Sequence, residues 1–152
     1  MTTSVVSRRY ARALIDALAP DHMGAGLEQL RAFAKVLENE DSRKFLMNPA
    51  IPPERRDAFI NALAESIGFD PRVKKLLSLI VERRRLQVLD SVIFTYQDLL
   101  DERHGIARAI IKVAAPLSEN NRDAIVKRLE KVTGKRVEME VERDDSLIGG
   151  VV

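Results

Sequence analysis

The chain of 152 residues contains no cysteine. Disulfides, thiolate nucleophiles and cysteine metal sites are therefore excluded. Histidine is nearly absent as well. Only His22 and His104 occur, and neither has a second histidine or a carboxylate pair at metal-ligand spacing, so each reads as a solvated turn or helix-end residue. Aromatic residues make up 5% of the chain, too few to interleave with basic residues as the stacking platform of a single-stranded nucleic-acid binder. No run approaches the roughly 18 apolar residues of a membrane span, and no apolar stretch follows the start as a secretory signal requires. A one-signed charge is missing too. The 25 basic and 23 acidic residues leave a formal charge of +2, which argues for a surface laced with local ion pairs rather than for the strong field that nucleic acid or an acidic membrane needs.

Motifs that carry chemistry are equally scarce. Gly24-Ala25-Gly26 offers two glycines of a dinucleotide fingerprint, but the third falls on Gln29 and no strand precedes it. This stretch reads as a turn between helices. There is no phosphate loop, nucleophile elbow or His-Glu-x-x-His helix. The adjacent carboxylates Glu40-Asp41 and Asp144-Asp145 lie at turns or helix starts, where acids cap amides. Arg83-Arg84-Arg85 is the densest basic cluster. At the C-terminal end of a helix it complements the negative end of the dipole, and it lacks the aromatic and basic surround of a phosphate patch. No catalytic, cofactor-binding or metal-binding residue is assigned, and no cofactor is expected.

What the sequence has is helical periodicity. With 45% hydrophobic and 32% charged residues, it is too apolar for disorder and suits a soluble globular protein. Val6, Tyr10, Ala13, Leu14, Ala17 and Leu18 recur at helix spacing up to Pro20. Leu27, Leu30, Ala34 and Leu37 mark a second helix, and Ser42 to Met47 a short third, stopped before Asn48-Pro49. Pro52-Pro53-Glu54 opens a fourth, with Phe59, Ile60, Leu63 and Ile67 on its stripe and Gly68 closing it. Asp70-Pro71 is an N-cap followed by a first-turn proline, leading into Val73, Leu76, Leu77, Ile80 and Val81. Leu86, Leu89, Ile93, Tyr96 and Leu100 form the sixth stripe, ended by His104-Gly105.

The pattern changes after Gly105. Ile106 to Ala115 is rich in β-branched residues and reads as a strand. Ser118 caps a further helix with Arg122, Ile125, Leu129 and Val132, ended by Gly134. Val137, Met139 and Val141 then alternate with charged residues as a half-buried strand. Strand, helix, strand predicts a parallel pair with a right-handed crossover. The fold expected is mostly α: an N-terminal helical domain over 1–105 and a small α/β domain over 106–152. The second piece is marginal in size and carries unpaired edges, so it reads as incomplete.

Two helices carry unusually wide apolar faces. At about 100° per residue, Val6, Tyr10, Ala13 and Ala17 form one stripe of the first helix, and Ala11, Leu14, Ile15 and Leu18 a second beside it. Together they cover roughly 200°, where a helix lying on a single core needs little more than 100°. On the fifth helix Leu76 and Leu79 form a shoulder beside Arg72, Lys75 and Arg83. Either both helices run through the centre of the bundle, or they border a groove that receives a partner's amphipathic helix. In the second case Ala13 and Ala17 admit close approach, and Tyr10 supplies area with a polar tip.

Five stretches, in order along the chain, resemble the delta subunit of F-type ATP synthases, the oligomycin-sensitivity-conferring protein family. They are Arg8 to Ala19 (RRYARALIDALA), Asn48 to Arg56 (NPAIPPERR), Glu82 to Leu89 (ERRRLQVL), Val113 to Glu119 (VAAPLSE) and Asp144 to Gly150 (DDSLIGG). Arg83 stands where the family usually has asparagine, and Asp145 where it has proline. The resemblance implies a six-helix N-terminal bundle, followed by a smaller α/β domain. It also implies a non-catalytic stator subunit of the peripheral stalk, which ties the catalytic head to the stalk so that the head resists rotor torque. The implied partners are the N-terminal helix of an alpha subunit, held between the first and fifth helices, and the b-type stalk subunits, held by the second domain. The alpha-binding residues would be Val6, Tyr10, Ala13, Ala17, Leu76 and Leu79. Ser146, Leu147, Ile148, Gly149 and Gly150 match the family's turn. One copy in a hetero-oligomeric complex is implied, without nucleic acid or direct membrane insertion, on the cytoplasmic face of a bacterial inner membrane. An organelle matrix is the alternative, since Arg8, Arg9 and Arg12 in an acid-free start also mimic a transit peptide. The competing function is a non-catalytic helical adaptor or a basic nucleic-acid-associated helical protein. The ending, Asp144 to Val152, reads as a turn and the opening of a strand against Val137 to Val141, in a domain that lacks its C-terminal end.

Overall fold

The computed structural model of the chain describes residues 5–144. Seven α-helices and two strands follow in the order α1 Val5–Ala17, α2 Met23–Val36, α3 Glu40–Met47, α4 Pro53–Ile67, α5 Pro71–Glu82, α6 Leu89–His104, β1 Ile106–Val113, α7 Glu119–Thr133 and β2 Arg136–Arg143. Single 3-10 turns at Pro20–His22 and Leu86–Val88 lead into α2 and α6. By internal contacts the chain divides into two compact units, residues 1–100 and 101–152, and the division falls inside α6.

The helical unit is built by its caps and its apolar stripes. Asn39 caps α3 through Ser42 N–H at 2.9 Å, so this helix begins two residues earlier than the apolar pattern indicates. Its acids Glu40 and Asp41 then sit in the first turn, where the dipole favours them. Gly68 ends α4 at φ 79°, a left-handed conformation that costs a glycine nothing. Asp70 caps α5 through Arg72 N–H at 2.8 Å. Gln29 of α2 fastens this α4–α5 junction: its Oε1 accepts from Asp70 N–H at 2.8 Å. The core contains Leu30, Phe33, Ile60, Val73, Leu77, Ile80, Val92 and Tyr96, all at 0% exposure. Each such side chain contributes about 1.5–3 kcal/mol on burial, enough to decide where α4 and α6 lie despite their mixed polar faces.

Three local readings are corrected. Gly24-Ala25-Gly26 belongs to α2 rather than to a turn between helices. Gly26 is there for space, because a Cβ would lie 2.6 Å from Leu18 Cδ1 and 3.1 Å from Tyr96 Oη. Tyr96 occupies that space to donate its hydroxyl to the Met23 carbonyl at 2.9 Å. Leu86 lies in a 3-10 turn, and the sixth helix starts only at Leu89. The first strand stops at Val113, short of Ala115.

In the second unit β1 and β2 pair in parallel, from Ile106 opposite Arg136 to Val113 opposite Arg143. Ser118 caps α7 through Asn121 N–H, and Gly134 closes it at φ 67°. Ile111, Val113, Val137 and Met139 are buried against Leu117, Ile125, Val126 and Leu129. Val141 continues the alternation but is 36% exposed. On the other face Arg108 joins Asp101 to Glu138, the latter at 3.1 Å. The hydrogen bond that Arg108 donates to Asp101 raises the Arg108 pKa against a smaller lowering by desolvation, so this guanidinium stays charged. Ile110, 59% exposed, stands on that charged face opposite Glu140.

Candidate partner-binding face

The two stripes of α1 have different fates, and this separates the alternatives left open by periodicity. Ala11, Leu14, Ile15 and Leu18 are buried in the core, 0–4% exposed. Val6 and Tyr10 are half-buried, while Ala13 and Ala17 are exposed. Helix α1 therefore does not run through the centre of the bundle. One stripe is used by this fold, and the other is left at the surface. Ser7 is buried on the core side at 0% exposure. Periodicity in apolar residues passes over it, although its wheel position lies between Leu14 and Ala11.

Helix α5 packs against α1. Leu76 is buried at 7% exposure and belongs to the core. It can form only the floor of a groove, and Leu79, half-buried, is the residue a partner could reach. Tyr10 links the two helices: its ring packs on the core, and its hydroxyl accepts from Arg85 Nη1 at 3.1 Å. This contact spans 75 positions in sequence, so no local pattern announces it. Arg85 is aimed by a Schellman motif at the end of α5. Arg84 N–H bonds the Val81 carbonyl at 3.0 Å and Arg85 N–H the Ile80 carbonyl at 2.9 Å. Arg84 holds φ 53°, at the position where glycine is usual.

The helices run antiparallel. Tyr10 meets Arg85 at one end. At the other, His22, just past α1, approaches Asp70 at the head of α5 with 3.8 Å between Nδ1 and Oδ2. The candidate face thus runs along two antiparallel helices, with the small residues Ala13 and Ala17 exposed on one side.

A cleft of about 790 Å³ lies elsewhere in this unit, between α2, α3 and the start of α6, lined by Ala34, Leu37, Met47, Leu86, Leu89 and Ile93 among others. Its Arg31 is already committed to Glu28 and Gln97, both at 2.8 Å. Among the described residues no cluster of three or more carboxylates or histidines could hold a metal, and no helix is long and apolar enough to cross a membrane. The turn residues Ser146, Leu147, Ile148, Gly149 and Gly150 lie outside the described residues, as does the expected strand opening at Val151.

Comparison with known proteins follows from this geometry. The model of the family described as "ATP synthase delta (OSCP) subunit" matches residues 6–152. The curated ATP synthase subunit delta of Syntrophobacter fumaroxidans is 34% identical over all of this chain and 84% of its own length. That of Solidesulfovibrio magneticus is 37% identical over all of this chain and 85% of its own. Among solved structures, a chain of the Toxoplasma gondii mitochondrial ATP synthase hexamer superposes with a TM-score of 0.66 at 24% identity, covering 98% of this chain and 85% of that one. At that identity the superposition speaks for the fold.

Proposed function

Since the chain belongs to the ATP synthase delta (OSCP) family, whose members are non-catalytic subunits of the ATP synthase complex, we propose that it is a stator adaptor of the peripheral stalk and links the catalytic head to the stalk of a proton-translocating enzyme. The helical unit holds the N-terminal helix of an alpha subunit on the face between α1 and α5, and the second unit holds b-type stalk subunits. One copy serves each complex. The chain lies at the cytoplasmic face of a bacterial inner membrane and meets the membrane only through its partners.

One observation carries the reading of the face. The Val6–Tyr10–Ala13–Ala17 stripe is apolar yet not enclosed by the core: Val6 and Tyr10 are half-buried and Ala13 and Ala17 exposed, beside Leu79 of the adjoining helix. Surface helices pay no penalty for polar residues there, so a second apolar stripe suits a helix laid across it. A stator must hold under torque, so slow release matters more than fast capture, and a nanomolar contact corresponds to about −12 kcal/mol. Buried anchors on a helix can supply that.

The test is calorimetric titration of the full chain with a peptide of the alpha-subunit N-terminus from the same genome. In the Ala13→Asp variant an exposed methyl becomes a carboxylate that the docked helix would desolvate, at a cost of about 3 kcal/mol or more. Binding should weaken at least about a hundredfold, while the melting curve stays close to that of the unaltered chain. Equal peptide affinity in both proteins would refute the assignment of the face.

A further inference from the structure

The borders of the α1–α5 face are cationic, although the whole chain carries only +2. On helical geometry Arg72, Lys75 and Arg83 lie beside Leu79 on α5, and Arg9 lies beside the Val6–Tyr10 stripe on α1. Arg85 reaches the same face through Tyr10 at 3.1 Å. All five are exposed. Three acids, Asp16, Asp70 and Glu82, answer them on these elements, and Asp70 is taken up by Arg72 at 3.6 Å. Arg9, Lys75 and Arg83 make no ion pair among the described residues.

The charges are not evenly spread. Because α1 and α5 run antiparallel, Arg9, Arg83 and Arg85 collect at the end where Tyr10 meets Arg85. Glu82 is the one acid of these two helices at that end, against three cations; Asp16 and Asp70 lie toward the other end, where His22 approaches Asp70. The face therefore has a cationic end and a nearly balanced end, about 18 Å apart along a twelve-residue helix.

We propose that the occupant of this face is an amphipathic helix with carboxylates clustered at one end, and that Arg9, Arg83 and Arg85 receive that end and so set the direction in which the helix lies. This rests on the reading of the face as the alpha-subunit site and adds the charge and polarity of its occupant. Apolar stripes alone dock in either direction with similar area. A cationic end makes one direction favourable and places the other's carboxylates beside Asp16 and Asp70. The cations are rim groups in water, so they act chiefly on association and on orientation, and salt screens them.

The full chain is titrated with the same alpha-subunit peptide, and with a version whose carboxylates are replaced by glutamine, across ionic strengths from about 0.05 to 0.5 M. The Arg9→Glu/Arg83→Glu variant should bind the native peptide about tenfold more weakly at low salt, with the difference fading at high salt. The glutamine peptide should not distinguish the variant from the unaltered chain. A native-peptide affinity that ignores salt, or is equal in variant and unaltered chain, overturns the proposal while leaving the face assignment standing. Failure of the native peptide to bind the unaltered chain at any salt concentration removes both. Binding of a short single-stranded oligonucleotide more tightly than the peptide, lost in the same variant, would reassign the cationic end to nucleic acid and likewise overturn the proposal.

Discussion

Gly24→Ala and Gly26→Ala make the same chemical change in the same helix, two residues apart, with opposite expected signs. Alanine gains up to about 1 kcal/mol over glycine in a helix by propensity and by restricting the unfolded chain, and this gain is shared by both. At Gly24 a Cβ meets nothing within 4 Å, so the variant should be more stable by about 0.5–1 kcal/mol. At Gly26 the Cβ would stand 2.6 Å from Leu18 Cδ1 and 3.1 Å from Tyr96 Oη. Leu18 is 4% exposed and Tyr96 fully buried, so neither can swing into solvent. Overpacking of this kind costs about 1–3 kcal/mol, and displacing Tyr96 also strains its hydrogen bond to Met23. The propensity gain is outweighed, and the two variants should differ by roughly 1–3 kcal/mol. Urea unfolding followed by tyrosine fluorescence isolates the helical unit, since there is no tryptophan and the two tyrosines, Tyr10 and Tyr96, are both in it. A Gly26→Ala variant as stable as Gly24→Ala would refute the argument that this glycine is held by packing.

Two more outcomes follow from the ends of α5. Arg84 holds a left-handed conformation that costs a side-chain-bearing residue about 1 kcal/mol, partly offset in Arg84→Gly by unfolded-state entropy of about 0.5 kcal/mol. Arg84→Gly should thus be slightly more stable, and Arg84→Val less stable than either; the order glycine, arginine, valine in urea midpoints checks it. Asp70→Ala removes the cap on Arg72 N–H and should cost about 1 kcal/mol of helical-unit stability, read as a lower midpoint with an unchanged urea slope.

Much of this fold is legible in one sequence because its signals are local. Asp70-Pro71 and Ser118 mark helix starts through side chains that bond amides two or three residues on, and Gly68 and Gly134 mark ends through a left-handed φ. The six stripes before Gly105 become α1 to α6, and Val137 and Met139 become the inner face of β2 by alternation alone. Boundaries slip where the deciding group is not apolar: Asn39 starts α3, and the backbone turns at Leu86 before α6 begins.

The candidate site divides along the same line. Composition and spacing determine by themselves that this is a helical protein without cysteine chemistry, and that its first helix is apolar around too much of its circumference for one core. Its order of short stretches also carries the resemblance to the delta family. Only the tertiary structure decides which stripe of α1 the core takes, because helical period is blind to which side a neighbour lies on. It also decides that Leu76 belongs to the core while Leu79 does not. Gly26 faces Tyr96, 70 positions away, and Arg85 closes on Tyr10. Such contacts depend on where the chain returns in space, and no periodicity of 3.6 residues carries that information.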